Sequence, residues 1–339
     1  MASVLIIIQQ CQSLKEAMMS NILISSAGRR VELLESFKTE LKKHDKNLKV
    51  IASDLEPLLS PACQIADEYF SICKVTDAEF INQLLKICIE REIKVVVPTI
   101  DTELMILAEN RKKFEEYGIN IVISHFDLIK NCQDKRLTKD VFENINVPYP
   151  KIFDKAELEF PCFCKPYDGS SSVGTQPVHT QLDLTEDLID NPKNIFMELV
   201  PNSYIEYTID GYYTTSGKLV SLVPRERLEI RAGEVSKGIT RKNFVYDYLV
   251  KRINTFSGAR GCITFQIFVN HEQQDIKGLE INPRFGGGYP LSYYAGANFP
   301  KYIIDEYLLG KKLEFYDGWD NNLLMLRYDS QILVKNYEK

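Results

Sequence analysis

Positive charge is in short supply in this chain: 41 lysines and arginines stand against 47 aspartates and glutamates, for a net charge of −6. Nucleic-acid backbones select for clustered cations, so this balance argues against a broad nucleic-acid footprint, though it leaves room for a local basic pocket. Histidine is sparse too. His44, His125, His179 and His271 show no Ser/His/Asp nucleophile pattern, and surface or structural roles are expected for them. The closest cysteine pair, Cys162 and Cys164, has no second pair at zinc spacing; the eight cysteines read as small apolar residues of a reducing cytosol. Long apolar runs are missing as well. Val4 to Ile8 falls far short of the about 20 residues that span a bilayer, and no basic start or cleavage site marks a signal peptide. No membrane partner is expected, and there is no internal repeat or low-complexity segment.

What remains is an ordinary globular composition, 45% hydrophobic and 26% charged, and 339 residues suffice for two or three domains. Met19 precedes a natural first strand, so residues 1–20 are expected to be an N-terminal extension. From there strand and helix signals alternate: strands at 21–25, 49–53, 94–98 and 119–124, helices at 30–43, 77–91 and 103–117. Such alternation predicts a doubly wound parallel sheet, whose ligands sit beyond the carboxyl ends of the strands. Arg29, Asp54 and Asp101 fall there. A dinucleotide site is tempting, with Asp54 on a ribose. The first turn, Ser25 to Arg30, has one glycine where that fingerprint needs three, and this speaks against it.

A helical pattern over 127–144 ends at Val147-Pro148-Tyr149-Pro150, because proline disfavours helix in itself and its predecessor. Phe163-Cys164-Lys165-Pro166 then reads as a strand that delivers a lysine to the small-residue loop Tyr167 to Gly174. The loop is either a phosphate cradle or a plain turn. Further on, Arg225, Arg227, Arg231, Lys237, Arg241 and Lys242 crowd a stretch with weak periodicity, read as a mobile anion-binding loop or a solvated face. Helices are expected at 243–256 and 300–309. Cys262 to Val269 and Gly278 to Asn282 read as a hairpin. Glu280 and Asn282 share a face because side chains repeat every two residues, and Gln266 can join them. Three oxygen ligands with positions left open suit Mg²⁺ completed by phosphates, with Arg284 beside them; an ordinary hairpin with a polar face is the bland alternative.

Taken together, Asp134-Lys135, Phe163-Cys164-Lys165-Pro166 with its serine-glycine loop, Met197-Glu198-Leu199-Val200, Ile205-Glu206-Tyr207, Gln266 and Leu279-Glu280-Ile281-Asn282-Pro283-Arg284 resemble, in content and order, the ATP-grasp superfamily. The likeness is strongest to the branch similar to the carbamoyl phosphate synthetase large subunit, and covers nearly everything from Asn21 to Leu309. It implies an α/β fold: a Rossmann-like pre-ATP-grasp domain at 21–126, then a two-lobed ATP-grasp domain of α+β character, its small lobe with the lid at 127–200 and its large lobe with the metal site at 201–339. Lys135 and Lys165 would hold ATP phosphates, with Gly169, Ser170, Ser171 and Ser172 in the lid. Glu198 and the backbone of Leu199 and Val200 would read adenine, and Glu206 the ribose. Gln266, Glu280 and Asn282 would bind Mg²⁺ or Mn²⁺, and Arg284 and Lys165 would serve the transferring phosphate. The lid is richer in serine than in many members.

The chemistry so implied is ligation of a small-molecule carboxylate to an amine through an acylphosphate, with release of ADP and phosphate. Anionic carboxylate and anionic triphosphate repel, so the metal, Lys165 and Arg284 must neutralise them, and a closed lid protects a water-sensitive intermediate. One ATP-grasp unit without a glutaminase segment argues against full carbamoyl phosphate synthesis; a free-standing enzyme resembling the pyrrolysine-biosynthesis ligase is the nearer comparison. Arg225, Arg231 and Lys237 are candidates for an acceptor carboxylate or acylphosphate, and Arg29, Asp54 and Asp101 for the second substrate. A cytoplasmic homodimer is expected. The alternatives are a small-molecule kinase or carboxyphosphate-forming enzyme, and a non-catalytic ATP-binding regulator.

Overall fold

A computed structural model of the chain describes residues 20–169, 173–231 and 233–337. Ser170, Ser171 and Ser172 of the expected lid, and all of the expected extension except Ser20, lie outside the described residues.

Strands β1 (Asn21–Ser25), β2 (Val50–Asp54), β3 (Glu68–Ser71), β4 (Ile93–Pro98) and β5 (Asn120–Ile121) form one parallel sheet in the order β3-β2-β1-β4-β5. Ile22 and Ile24 of β1 pack into one apolar cluster with Leu34 and Phe37 of the helix Val31–Leu41. Leu23 packs into another with Leu84 of the helix Phe80–Glu90. Both faces of the sheet are therefore covered, which is why its inner strands are continuous apolar runs. The edge strand β3 escapes sequence reading because it is only four residues long and Tyr69 and Ser71 face solvent. Two expected helices are each broken in two. The first runs Asp101–Glu109 and Arg111–Glu115, and the second Phe126–Gln133 and Lys135–Asn144. In the second, the Asp134 carboxylate accepts from the Arg136 N–H at 2.9 Å and starts a new helix there.

A small antiparallel sheet follows, β6 (Ile152–Phe153), β7 (Cys162–Pro166), β8 (Gln176–Val178) and β9 (Asn194–Glu198), ordered β6-β9-β7-β8. Cys162 and Cys164 are buried there beside Val178 and Phe196, as small apolar residues. The larger sheet, ordered β14-β13-β10-β11-β12-β15, contains β10 (Ile205–Tyr213), β11 (Leu219–Arg231), β12 (Glu234–Thr240), β13 (Gly261–Asn270), β14 (Asp275–Asn282) and β15 (Leu324–Leu326).

The cation-rich stretch is thus a hairpin, β11 against β12, and the expectation of a mobile loop is corrected. Its cations obscure the strand alternation because carboxylates on neighbouring segments pair with them: Lys237 with Glu229, Arg241 with Glu226, Lys242 with Asp317, Arg231 with Asp329. The expected helix at 243–256 is shorter, Phe244–Val250, and that at 300–309 runs Phe299–Ile303 into a π-helical turn, Ile304–Leu308. One glycine couples the lobes to each other. A Cβ on Gly278 of β14 would lie 2.6 Å from the Phe142 ring, so glycine alone lets the helix Lys135–Asn144 press onto the hairpin.

Candidate active site

The hairpin β13–β14 sets the register of the residues expected to bind metal. Gln266 lies directly opposite Glu280, and Thr264 opposite Asn282. On that face Gln266 Nε2 and Asn282 Nδ2 both donate to Glu280 Oε1, at 2.6 and 2.8 Å. One carboxylate and two amides make an oxygen-capable set with a single negative charge. Rotation about the terminal bond of each amide turns its oxygen outward, so the trio fits a hard cation whose remaining ligands come from phosphates. Among the described residues no cluster of three or more His, Cys, Asp or Glu competes as a metal site.

Lys165, next to last in β7, lies within electrostatic reach of this carboxylate. The residue is only 4% exposed, and burial, reinforced by the nearby Lys135 ammonium, pushes its amine down to about 8 against the opposing pull of Glu280. Lys135 opens its helix, donates its ammonium to Gly169 O, and takes Tyr167 O with its backbone N–H at 3.0 Å. Two cations are thus gathered at the base of the serine-glycine loop, one of them under-solvated: an arrangement in which an anion supplies what water cannot.

At the junction of the two lobes β9 ends on Glu198, whose carboxylate binds Lys277 and whose N–H donates to Lys151 O at 2.8 Å. Beyond it, the N–H groups of Leu199 and Val200 have no hydrogen-bond partner among the described residues. Glu206, at the start of β10, is paired with Arg227, which also donates to Gln266 Oε1 at 3.3 Å. Arg227 thereby links the expected ribose and metal positions, and Lys277 covers Glu198. Sequence reading singled out neither for these roles; strand register across β10, β11 and β13 would have pointed to Arg227.

Arg284 leaves β14 and crosses to the parallel-sheet domain, where its Nη2 and Nε donate to Asp101 Oδ2 at 2.6 and 3.1 Å. Asp54 binds the N–H of Gly28 at 2.8 Å and so shapes the turn after β1, while Arg29 is exposed. The buried Glu103 ties that turn to the one after β4. It accepts from Thr99 N at 2.8 Å and Ser26 Oγ at 3.0 Å, and desolvation pushes its carboxyl up to about 7.

Arg225 requires a correction. Rather than facing a substrate it is 1% exposed, with Nε and Nη2 donating to Asp210 at 2.8 and 3.0 Å. Ser292 Oγ shares Asp210 at 2.6 Å. Arg231 and Lys237 point outward on the hairpin, held by Asp329 and Glu229.

A family model described as the N-terminal domain of PylC-like proteins matches residues 22–122, and one described as the ATP-grasp in the biosynthetic pathway with Ter operon matches residues 190–320. No curated protein matches the sequence. Solved structures share the fold. The N5-carboxyaminoimidazole synthetase of Staphylococcus aureus, complexed with ADP, aligns with a TM-score of 0.67 at 19% identity, over 87% of this chain and 79% of that one. The biotin carboxylase of Campylobacter jejuni, in a β,γ-ATP complex, aligns with 0.68 at 17% identity, over 91% and 75%. The biotin carboxylase domain dimer of the Hydrogenobacter thermophilus 2-oxoglutarate carboxylase, with MgADP and bicarbonate, aligns with 0.67 at 16% identity, over 90% and 73%. Among the described residues no helix is long and apolar enough to cross a membrane.

Proposed function

From a chain that carries a PylC-like N-terminal domain and an ATP-grasp domain, we propose an ATP-dependent carboxylate–amine ligase that works through an acylphosphate. The observation that carries this reading is that the buried Lys165, from the small lobe and with Lys135 beside it, lies within electrostatic reach of Glu280, which with Gln266 and Asn282 comes from the large one. ATP binds between the lobes. The unpaired N–H groups of Leu199 and Val200 meet the adenine edge beside Glu198, Glu206 takes the ribose, and Lys135 and Lys165 take the phosphates under the loop that contains Gly169. Glu280, Gln266 and Asn282 would hold Mg²⁺, which when bound would neutralise the triphosphate.

Lys165, buried and short of hydrogen bonds, gains more from a phosphate oxygen than a solvated lysine would, so its charge is aimed before substrate arrives. Arg284 stands beyond the metal ligands and turns its guanidinium toward the crevice of the parallel-sheet domain. There it compensates charge on the carboxylate that attacks the γ-phosphorus; ADP leaves, and an amine then displaces phosphate to form the amide. A homodimer is the assembly proposed, by likeness to the Hydrogenobacter neighbour, and sedimentation checks it.

The test is an ADP-release screen of paired carboxylates and amines with ATP and Mg²⁺. Release that requires both partners and yields an amide supports ligation; a phosphorylated acid alone would make the protein a kinase. Glu280→Ala should abolish Mg²⁺-dependent release, and a variant that kept it would refute the metal assignment.

A further inference from the structure

Four segments bring charge to the crevice beside Arg284: Arg29 and Arg30 after β1, Asp101 at the start of its helix, Glu234 at the start of β12, and Arg327 just past β15. Both carboxylates already have partners. Asp101 accepts from Arg284, and Glu234 Oε2 accepts from Arg327 Nη1 at 3.0 Å. Arg327 is fixed in turn by its bond to Val235 O at 3.2 Å. Arg30 is left over. It is part-buried, its guanidinium makes one long bond, Nη2 to Thr99 O at 3.5 Å, and its charge is disfavoured by desolvation first and by Arg284 second. Arg29, next to it, makes no ion pair among the described residues. No side chain caps the helix that begins at Val31, so its first N–H groups add to the positive field. Four guanidiniums thus stand against two carboxylates here, and the pair without a direct carboxylate partner among the described residues lies on the parallel-sheet domain. Glu234 and Asp101 favour the Arg30 charge from a distance, but among the described residues neither reaches it as an ion pair, and a guanidinium withdrawn from water without such a bond is under-satisfied until an anion reaches it.

We propose that Arg30, supported by Arg29, anchors a carboxylate of the non-nucleotide substrates other than the one that is phosphorylated. Arg284 and the metal ligands serve the reacting carboxylate, so an anion on Arg30 is a second one. The inference rests on the ligase reading above for the identity of the neighbouring site. The second carboxylate comes from one of two sources, an amino-acid acceptor or a dicarboxylate donor. Arg327 is a positioning residue: by occupying Glu234 it keeps that carboxylate from neutralising Arg30, so the tail strand β15 is part of the site.

The test is equilibrium binding by calorimetry in the presence of Mg²⁺ and a non-hydrolysable ATP analogue, which needs no turnover. One arm compares the proteinogenic amino acids with the amines left when their carboxylate is removed. The other compares succinate, glutarate and 2-oxoglutarate with propionate and butyrate. In one arm a carboxylated probe should bind at least about tenfold more tightly than its truncated partner, as the loss of a charge-assisted pair predicts. Arg30→Met should erase that difference, Arg30→Lys restore part of it, and both should leave nucleotide affinity unchanged. Arg327→Met should weaken the same probe and leave the nucleotide alone. The proposal is overturned if no carboxylated probe binds, if the truncated partners bind as well, or if Arg30→Met keeps the preference. Two-substrate ADP release that is indifferent to Arg30 would remove the anchor and leave the ligase; anchored binding without ADP release would do the reverse.

Discussion

Lys165→Met offers the sharpest separation of folding from function. Burial lowers the Lys165 amine from the ordinary 10.5 to about 8, a displacement that corresponds to roughly 3 kcal/mol of unfavourable interaction with the charged form. At pH 7 the ammonium is charged in both folded and unfolded chains, so the folded state bears this cost in full. As pH rises from about 8 toward 10.5 the folded protein releases the proton before the unfolded one does, so Lys165 contributes a gain in stability across that window, visible as the difference between wild type and variant. Methionine fills the same space without charge. In the absence of nucleotide at pH 7 the variant should melt higher, by about 2 to 6 °C for a stabilisation of roughly 1 to 3 kcal/mol, and that advantage should shrink between pH 8 and 10.5, over a loss that both proteins share from their buried cysteines, whose thiols burial pushes up. Its nucleotide affinity should fall by about 10- to 150-fold, the worth of one charge-assisted bond of roughly 1.5 to 3 kcal/mol. Wild-type affinity should itself weaken above pH 8, because the phosphates must then recruit a proton to the amine. Differential scanning calorimetry with and without Mg²⁺ and an ATP analogue measures all of these. A variant that melts below wild type and binds nucleotide equally well would refute the account of Lys165 as a pre-aimed, under-satisfied phosphate ligand.

Two further substitutions probe the frame behind the site. A Cβ on Gly288 would stand 2.3 Å from Arg225 Nη1 and 2.7 Å from Val235 Cγ1, and Arg225 cannot retreat from its two bonds to Asp210; Gly288→Ala should cost about 1 to 3 kcal/mol, read as a lower denaturation midpoint. Asp210→Ala strands the buried Arg225 charge and should cost about 3 to 5 kcal/mol, whereas Asp210→Ala with Arg225→Met should recover much of that in chemical denaturation.

The parallel-sheet domain was legible because its inner strands are buried on both faces and its helices are amphipathic, so local periodicity carries the tertiary answer. The hairpin β13–β14 was legible too, since a period of two puts Glu280 and Asn282 on one face whatever surrounds them. Charges misled. Arg225 sits among arginines and lysines that face solvent, and nothing in its neighbours along the chain tells that Asp210, one strand away, holds it in the core. The same hairpin hides Arg227, which matters for its contacts with Glu206 and Gln266 rather than for its place in a charge run.

The sequence by itself determined the order of the sheets and the shared face of Glu280 and Asn282, because those follow from chain periodicity, while Lys135 was singled out only by the family resemblance. Only the tertiary structure decided which charges are spent and which remain. Asp101 is paired with Arg284 and Glu234 with Arg327, over separations of 183 and 93 residues, while Arg30 makes no ion pair among the described residues. Ion pairing depends on distances of a few ångströms between segments remote in the chain, and a sequence read in order contains no such distances.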